Sequence, residues 1–174
     1  MRRVLLVTVL LTLVPCARSE TADNSAATAL ARLRDLKGSW EGPFEWTGAR
    51  SDRGTMSVTY ALTGNGSAVV ETLLVGGTPS MTTVYHLDGG DLRMTHFCGA
   101  QNQPRLKARE IDLARGVMDF AFVDATNLAS GEAPHVDGFE MRLLDANHIL
   151  LTFHFTSGGK ASEERIDLRR VTIS

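Results

Sequence analysis

Three features of the sequence predict an all-β fold: an antiparallel meander closed into a roughly ten-stranded barrel, with one short N-terminal helix. Apolar and polar residues alternate with a period of two along short runs from residue 40 onward, the signature of half-buried strands. Gly, Asn and Asp punctuate those runs at hairpin spacing, which indicates neighbouring antiparallel strands. The runs number about ten, and a sheet that wide curls and removes its exposed edges by closing.

The opening segment has a different character. Residues 1–19 begin Met1-Arg2-Arg3, continue apolar over 4–14 and reach the small residues Ala17 and Ser19, the three-part pattern of a secretory signal peptide. The apolar stretch is shorter than the about 20 residues needed to span a bilayer, so no transmembrane segment is expected, and periplasmic or extracellular export follows. Cleavage after Ser19 discards Cys16; a lipid anchor at Cys16 fits less well because Pro15 precedes it. Cys98 then has no intramolecular partner.

Residues 20–25 read as a flexible lead-in and 26–174 as a single domain. Leu30, Leu33 and Leu36 recur at intervals of three among strong helix formers and stop before Gly38, which predicts a helix over 26–36. The strands follow at 40–47, 55–63, 67–75, 80–88, 91–98, 105–111, 117–123, 138–144, 148–156 and 162–171, with the last able to pair back to the first. The chain is 43% apolar and 22% charged, ordinary globular proportions. Its formal charge is -2, and losing Arg2, Arg3 and Arg18 makes it more acidic, which argues against nucleic acid.

Two turns set which side chains face inward. Asn65-Gly66 as a type I′ turn pairs Leu62 with Val69, Tyr60 with Glu71 and Val58 with Leu73. The apolar members make that the buried face, and Glu71 and Tyr60 go with them. The reversal at Asp88-Gly89-Gly90-Asp91 pairs Leu87 with Leu92, Tyr85 with Met94, Thr83 with His96 and Met81 with Cys98, placing Met81, Tyr85, Leu87, Leu92, Met94, His96 and Cys98 inside.

The segment Gly38-Ser39-Trp40-Glu41-Gly42, where a helix meets Gly-x-Trp on the first strand, resembles the opening of lipocalin-type (calycin) barrels. Residues 66–72, 81–88 and 92–98, followed by Asn102-Gln103-Pro104, are similar to a family of secreted bacterial lipocalin-like proteins of unassigned function. The resemblance runs from about Leu33 to Arg169 and implies a barrel without implying a reaction. Phe97 stands where that family's pattern expects Tyr, so a catalytic hydroxyl is not expected there.

The candidate ligand-binding residues are Glu71, His96, Tyr60, Tyr85, Asn102, Gln103 and Cys98. A carboxylate inside a barrel is costly unless bonded, so Glu71 with Tyr60 is either a polar anchor in a cavity or a satisfied pair holding register. His96 and Cys98 share a face but are about 6.5–7 Å apart along the strand, which makes a core imidazole and a buried thiol the plainer alternative to a nucleophile and its base. Asn102 and Gln103 supply a rim that reads a polar head group, or a loop that bonds itself. His86, His135, His148 and His154 are dispersed, with His148 and His154 on the outer face and His135 in a loop, and neither metal nor cofactor is expected. Three functions remain open. The first is an exported protein holding a small apolar or amphipathic ligand behind Met56, Tyr60, Tyr85, Met94, Phe120, Met141 and Phe153. The second is a hydrolase or isomerase using Glu71 with His96, or Cys98. The third is an interaction domain with a filled core.

Overall fold

The computed structural model describes residues 18–171. Apart from its last two residues, the expected leader lies outside that range, as does Cys16. Helix α1 (Arg18–Arg34) is followed by ten strands: β1 (Gly38–Gly48), β2 (Asp52–Thr63), β3 (Ala68–Val75), β4 (Thr78–Asp88), β5 (Asp91–Phe97), β6 (Gln103–Asp112), β7 (Val117–Thr126), β8 (His135–Asp145), β9 (His148–Ser157) and β10 (Lys160–Arg170). The helix starts upstream of the expected 26–36 and takes in the stretch 20–25. His135, expected in a loop, opens β8 and is buried.

Each strand pairs antiparallel with its sequence neighbours, and β10 returns to β1 to close the barrel. The seam depends on Gly42. A Cβ there would lie 1.8 Å from the Asp167 carbonyl oxygen, so only glycine lets β10 approach. Pro43 follows, and the β1–β10 register skips both residues while β1–β2 pairing continues through them. The missing proline N–H therefore falls where no ladder bond is made.

The Asn65-Gly66 turn explains the registers that follow. Asn65 (φ 55°) and Gly66 (φ 82°) are both left-handed, as a type I′ turn requires, and the Ser67 N–H donates to the Gly64 carbonyl at 3.1 Å. Tyr60 thus faces Glu71, and Leu62 faces Val69. Across the next hairpin Thr83 faces His96 and Tyr85 faces Met94. Parity alone does not ensure burial: Leu62 and Leu87, expected inside, are exposed because the strand ends beside these turns run past the core.

The barrel's two ends differ. At one end α1 buries Ala26, Ala29, Leu30 and Leu33 in the same core as the strands, a stripe at helical spacing. The Arg34 Nε donates to the Gly66 carbonyl at 2.8 Å, and the Trp40 indole donates to the Leu36 carbonyl at 2.8 Å. The Arg170 guanidinium lies 4.3 Å over the Trp40 ring and donates to the Lys37 and Asp35 carbonyls. The β1–β2, β3–β4, β5–β6, β7–β8 and β9–β10 connections ring the other end, which α1 does not cover.

Candidate functional site

A polar row crosses the barrel wall. Tyr60 on β2, Glu71 on β3, Thr83 on β4 and His96 on β5 stand opposite one another in register, and all four are buried. The row exists because period-two alternation carries each residue inward with its apolar neighbours. Tyr60 donates to Glu71 Oε2 at 2.7 Å, and Tyr85 donates to the same oxygen at 3.0 Å. Oε1 meets no partner at hydrogen-bond geometry. Burial raises the Glu71 pKa, while the Tyr60, Tyr85 and Thr83 hydroxyls pull it back toward the ionised form. Burial, and then the Glu71 charge, raise both phenols well above their usual value, so they act only as donors. Next to this row, Tyr85, Phe120, Phe139 and Phe153 pack ring against ring, with Phe139 and Phe153 centroids 4.6 Å apart.

His96 ends the row and touches different surroundings. Its Nδ1 is 2.9 Å from the Thr83 hydroxyl, its ring lies 5.3 Å from that of Phe153, and its Nε2 has no protein partner. Burial drives its pKa down to about 4, so the ring is neutral at ordinary pH.

The His96 ring forms part of the wall of a pocket of about 350 Å³ at the end away from α1. Phe44, Met56, Met81, Phe153 and Phe155 supply its apolar walls, and Cys98 and Glu164 also line it. Glu164 is buried on β10 opposite Trp46 of β1. Burial pushes its carboxyl up to about 7; the Trp46 side chain and Arg50 draw it down and Asp52 raises it further. Arg50 sits 4.1 Å over the Trp46 ring and pairs with Asp52 at 3.6 Å. A larger depression of about 450 Å³ lies between α1 and the β6–β7 and β8–β9 turns. Its Arg115 is held by Asp112 and Glu110 and its Arg170 by backbone carbonyls.

The expected site residues therefore separate. His96 and Cys98 line the pocket; Glu71, Tyr60 and Tyr85 do not, and lie in the packed interior below it. Of the expected wall only Met56 and Phe153 line it, whereas Met94, Phe120 and Met141 are core. Asn102 is buried and donates to the Pro134 carbonyl at 2.7 Å. The Gln103 side-chain oxygen accepts from Thr126 and Asn127 at 2.6 and 2.8 Å. Asn102 thus ties the β5–β6 loop to the β7–β8 loop, and Gln103 joins the start of β6 to the end of β7. The Ala100 N–H donates to the Cys98 sulfur at 3.4 Å, and burial raises the thiol pKa with Glu164 adding to it, the opposite of what a nucleophilic thiolate needs. His148 pairs with Asp167 and His154 with Glu163. Among the described residues no three His, Cys, Asp or Glu side chains gather as a metal site.

Glu164 was missed. It sits in the charged run Glu163-Glu164-Arg165, which hides that it has the same parity as the inward Ile166 and Leu168.

Fold and pocket together define a closed ten-stranded antiparallel barrel with one capped end and one pocketed end. No known family model and no curated protein matches the sequence. Among solved structures the chain is similar to Rv2717c of M. tuberculosis, with TM-score 0.57 and 16% identity over 83% of this chain and 98% of that one. It is also similar to a DUF3598-family protein of unknown function from Nostoc punctiforme, with TM-score 0.55 and 12% identity over 80% of this chain. The chain spans 49% of that protein's length. At such identities the likeness concerns the fold. No helix among the described residues is long and apolar enough to cross a membrane.

Proposed function

We propose that this protein is an exported barrel that holds a small apolar or amphipathic molecule in the pocket at its uncapped end. One observation carries the reading: an apolar pocket of about 350 Å³ has two buried polar side chains, His96 and Glu164, in its wall. A mostly apolar concavity with a few polar groups is the usual form of a small-molecule site. The volume is well above the about 30 Å³ of one water, which favours a binding barrel over an interaction domain with a filled core. The Gly-x-Trp opening and its resemblance to lipocalin-like secreted barrels agree with this reading, and the leader pattern of residues 1–19 supports work outside the cytoplasm.

An apolar, environment-sensitive fluorophore of about two fused rings should bind with one-to-one stoichiometry. Met81→Trp, which fills the pocket from β4, should abolish the signal while leaving the fold intact by circular dichroism. A flat titration of the unaltered protein, or binding unchanged in the filled variant, would overturn the proposal.

A further inference from the structure

Among the groups that line the pocket, Glu164 is a buried carboxylate, whereas Arg50 and Asp52 stand half-exposed at its mouth, paired with each other. His96 is neutral, with Nδ1 2.9 Å from the Thr83 hydroxyl and Nε2 enclosed by protein. Ionised Glu164 is therefore the unbalanced charge that a ligand in the pocket meets.

The charges at the mouth agree. Arg50 is matched by Asp52, so ionised Glu164 leaves the entrance with an excess negative charge. Trp46 and Phe155 stand edge to face there, 5.6 Å between centroids, and Trp46 already holds one cation on its face, as aromatic rings do. A carboxylate ligand would meet repulsion from that charge. A cation would find an acid and aromatic faces.

We propose that the pocket takes an apolar amine, with its ammonium group at the Glu164 carboxylate and its body against Met56, Met81, Phe153 and Phe155. This rests on the binding function proposed above and names the ligand class for it. The groups facing Glu164 are Trp46 of β1, Arg50 of the β1–β2 turn, Asp52 of β2, Phe153 of β9, and His96 and Cys98 across the pocket. Of these, His96 is neutral and the Cys98 thiol is held protonated, so the change in charge near neutral pH belongs to Glu164.

The test compares 2-phenylethylamine, 2-phenylethanol and 3-phenylpropionate, close in size, by calorimetry or by displacement of the fluorophore. At about pH 8 the amine should bind at least about tenfold more tightly than the carboxylate, a difference of about 1.4 kcal/mol. Amine affinity should fall as pH drops through about 7, as Glu164 takes up its proton, whereas the alcohol should show no such fall. Glu164→Gln should remove the amine's pH dependence and its advantage and leave the alcohol unchanged. If that variant fails to fold, the amine-to-carboxylate ratio of the unaltered protein from about pH 5.5 to about 8.5 decides the matter. Equal or tighter carboxylate binding, or a ratio that does not change with pH, would overturn the amine proposal while leaving a binding barrel standing. Failure of all three compounds and of the fluorophore would overturn both proposals.

Discussion

At the capped end, Trp40 meets Tyr60 edge to face at 6.3 Å, its indole N–H is bonded and Leu30 and Leu33 of α1 close over the strands. At the other end, Trp46 is the equivalent large ring on the same strand, yet it packs against Phe155 on one side and lines the pocket. The ten strands run through both regions, so the difference lies in what covers the ends. A packed interior returns dispersion and hydrophobic energy for every side chain it holds. A pocket gives up part of that stability.

The sharpest way to break this contrast is to truncate the two tryptophans. Trp40→Ala should cost about 3–5 kcal/mol, as large aromatic deletions in closed cores do. Trp46→Ala should cost less, about 1–3 kcal/mol, because that ring already lacks neighbours on its pocket side. Urea denaturation midpoints of the two variants measure the difference. Equal losses would mean that the open end is packed as tightly as the capped one.

The boundary between the regions is the polar row, and Glu71→Leu probes it. Two buried phenols, Tyr60 and Tyr85, lose the oxygen they share. Buried hydroxyls left without partners cost about 1–3 kcal/mol each, and rotation recovers some of this, so a loss of about 2–4 kcal/mol is expected. Glu71→Gln keeps an accepting oxygen and should cost less. A Glu71→Leu variant as stable as the unaltered protein would show that the row contributes nothing to the packed half.

Titration probes the pocketed end next, because His96 and Glu164, both displaced by burial, line the pocket. Folding lowers His96 to about 4 from its ordinary value of 6.5. A depressed value gives stability that is present above the unfolded pKa and lost as pH falls from 6.5 toward 4. Folding raises Glu164 to about 7 from 4.5. A raised value gives stability that is present below 4.5 and lost as pH rises through about 7. Each contribution is on the order of 3 kcal/mol, and between 4.5 and 6.5 they oppose each other. Denaturation of His96→Gln and Glu164→Gln as a function of pH should show each losing its own limb and keeping the other.

Much of the fold was legible because two periodicities and one turn carry it. Alternation located the strands, Leu30 and Leu33 the helix, and Asn65-Gly66 the register that places Glu71 opposite Tyr60. The site was legible only in part, because parity tells inside from outside and says nothing of height along the barrel. Glu71, Tyr60 and Tyr85 were correctly inward but lie one tier too deep to line the pocket. Glu164 was at the right height and sat unnoticed between two other charges. That Asn102 bonds Pro134 rather than facing a ligand depends on where 98–102 and 127–134 come together, which no spacing within either segment encodes.

The smallest expected effect tests that point about height. Leu62, Leu73 and Leu87 all have inward parity, yet Leu73 is fully buried whereas Leu62 and Leu87 are 40% and 37% exposed. Leu62→Ser and Leu87→Ser should each change stability by no more than about 0.5 kcal/mol, as surface substitutions do. Leu73→Ser, on the same face but in mid-strand, should cost more than about 3 kcal/mol, from the lost volume and a buried hydroxyl. If Leu62→Ser approached Leu73→Ser in cost, the core would extend beyond α1 to the tips of the hairpins, and the capped end would be closed by the turns as well as by the helix. If it stays near zero, the core ends where α1 ends, and the helix alone makes the two ends of the barrel different.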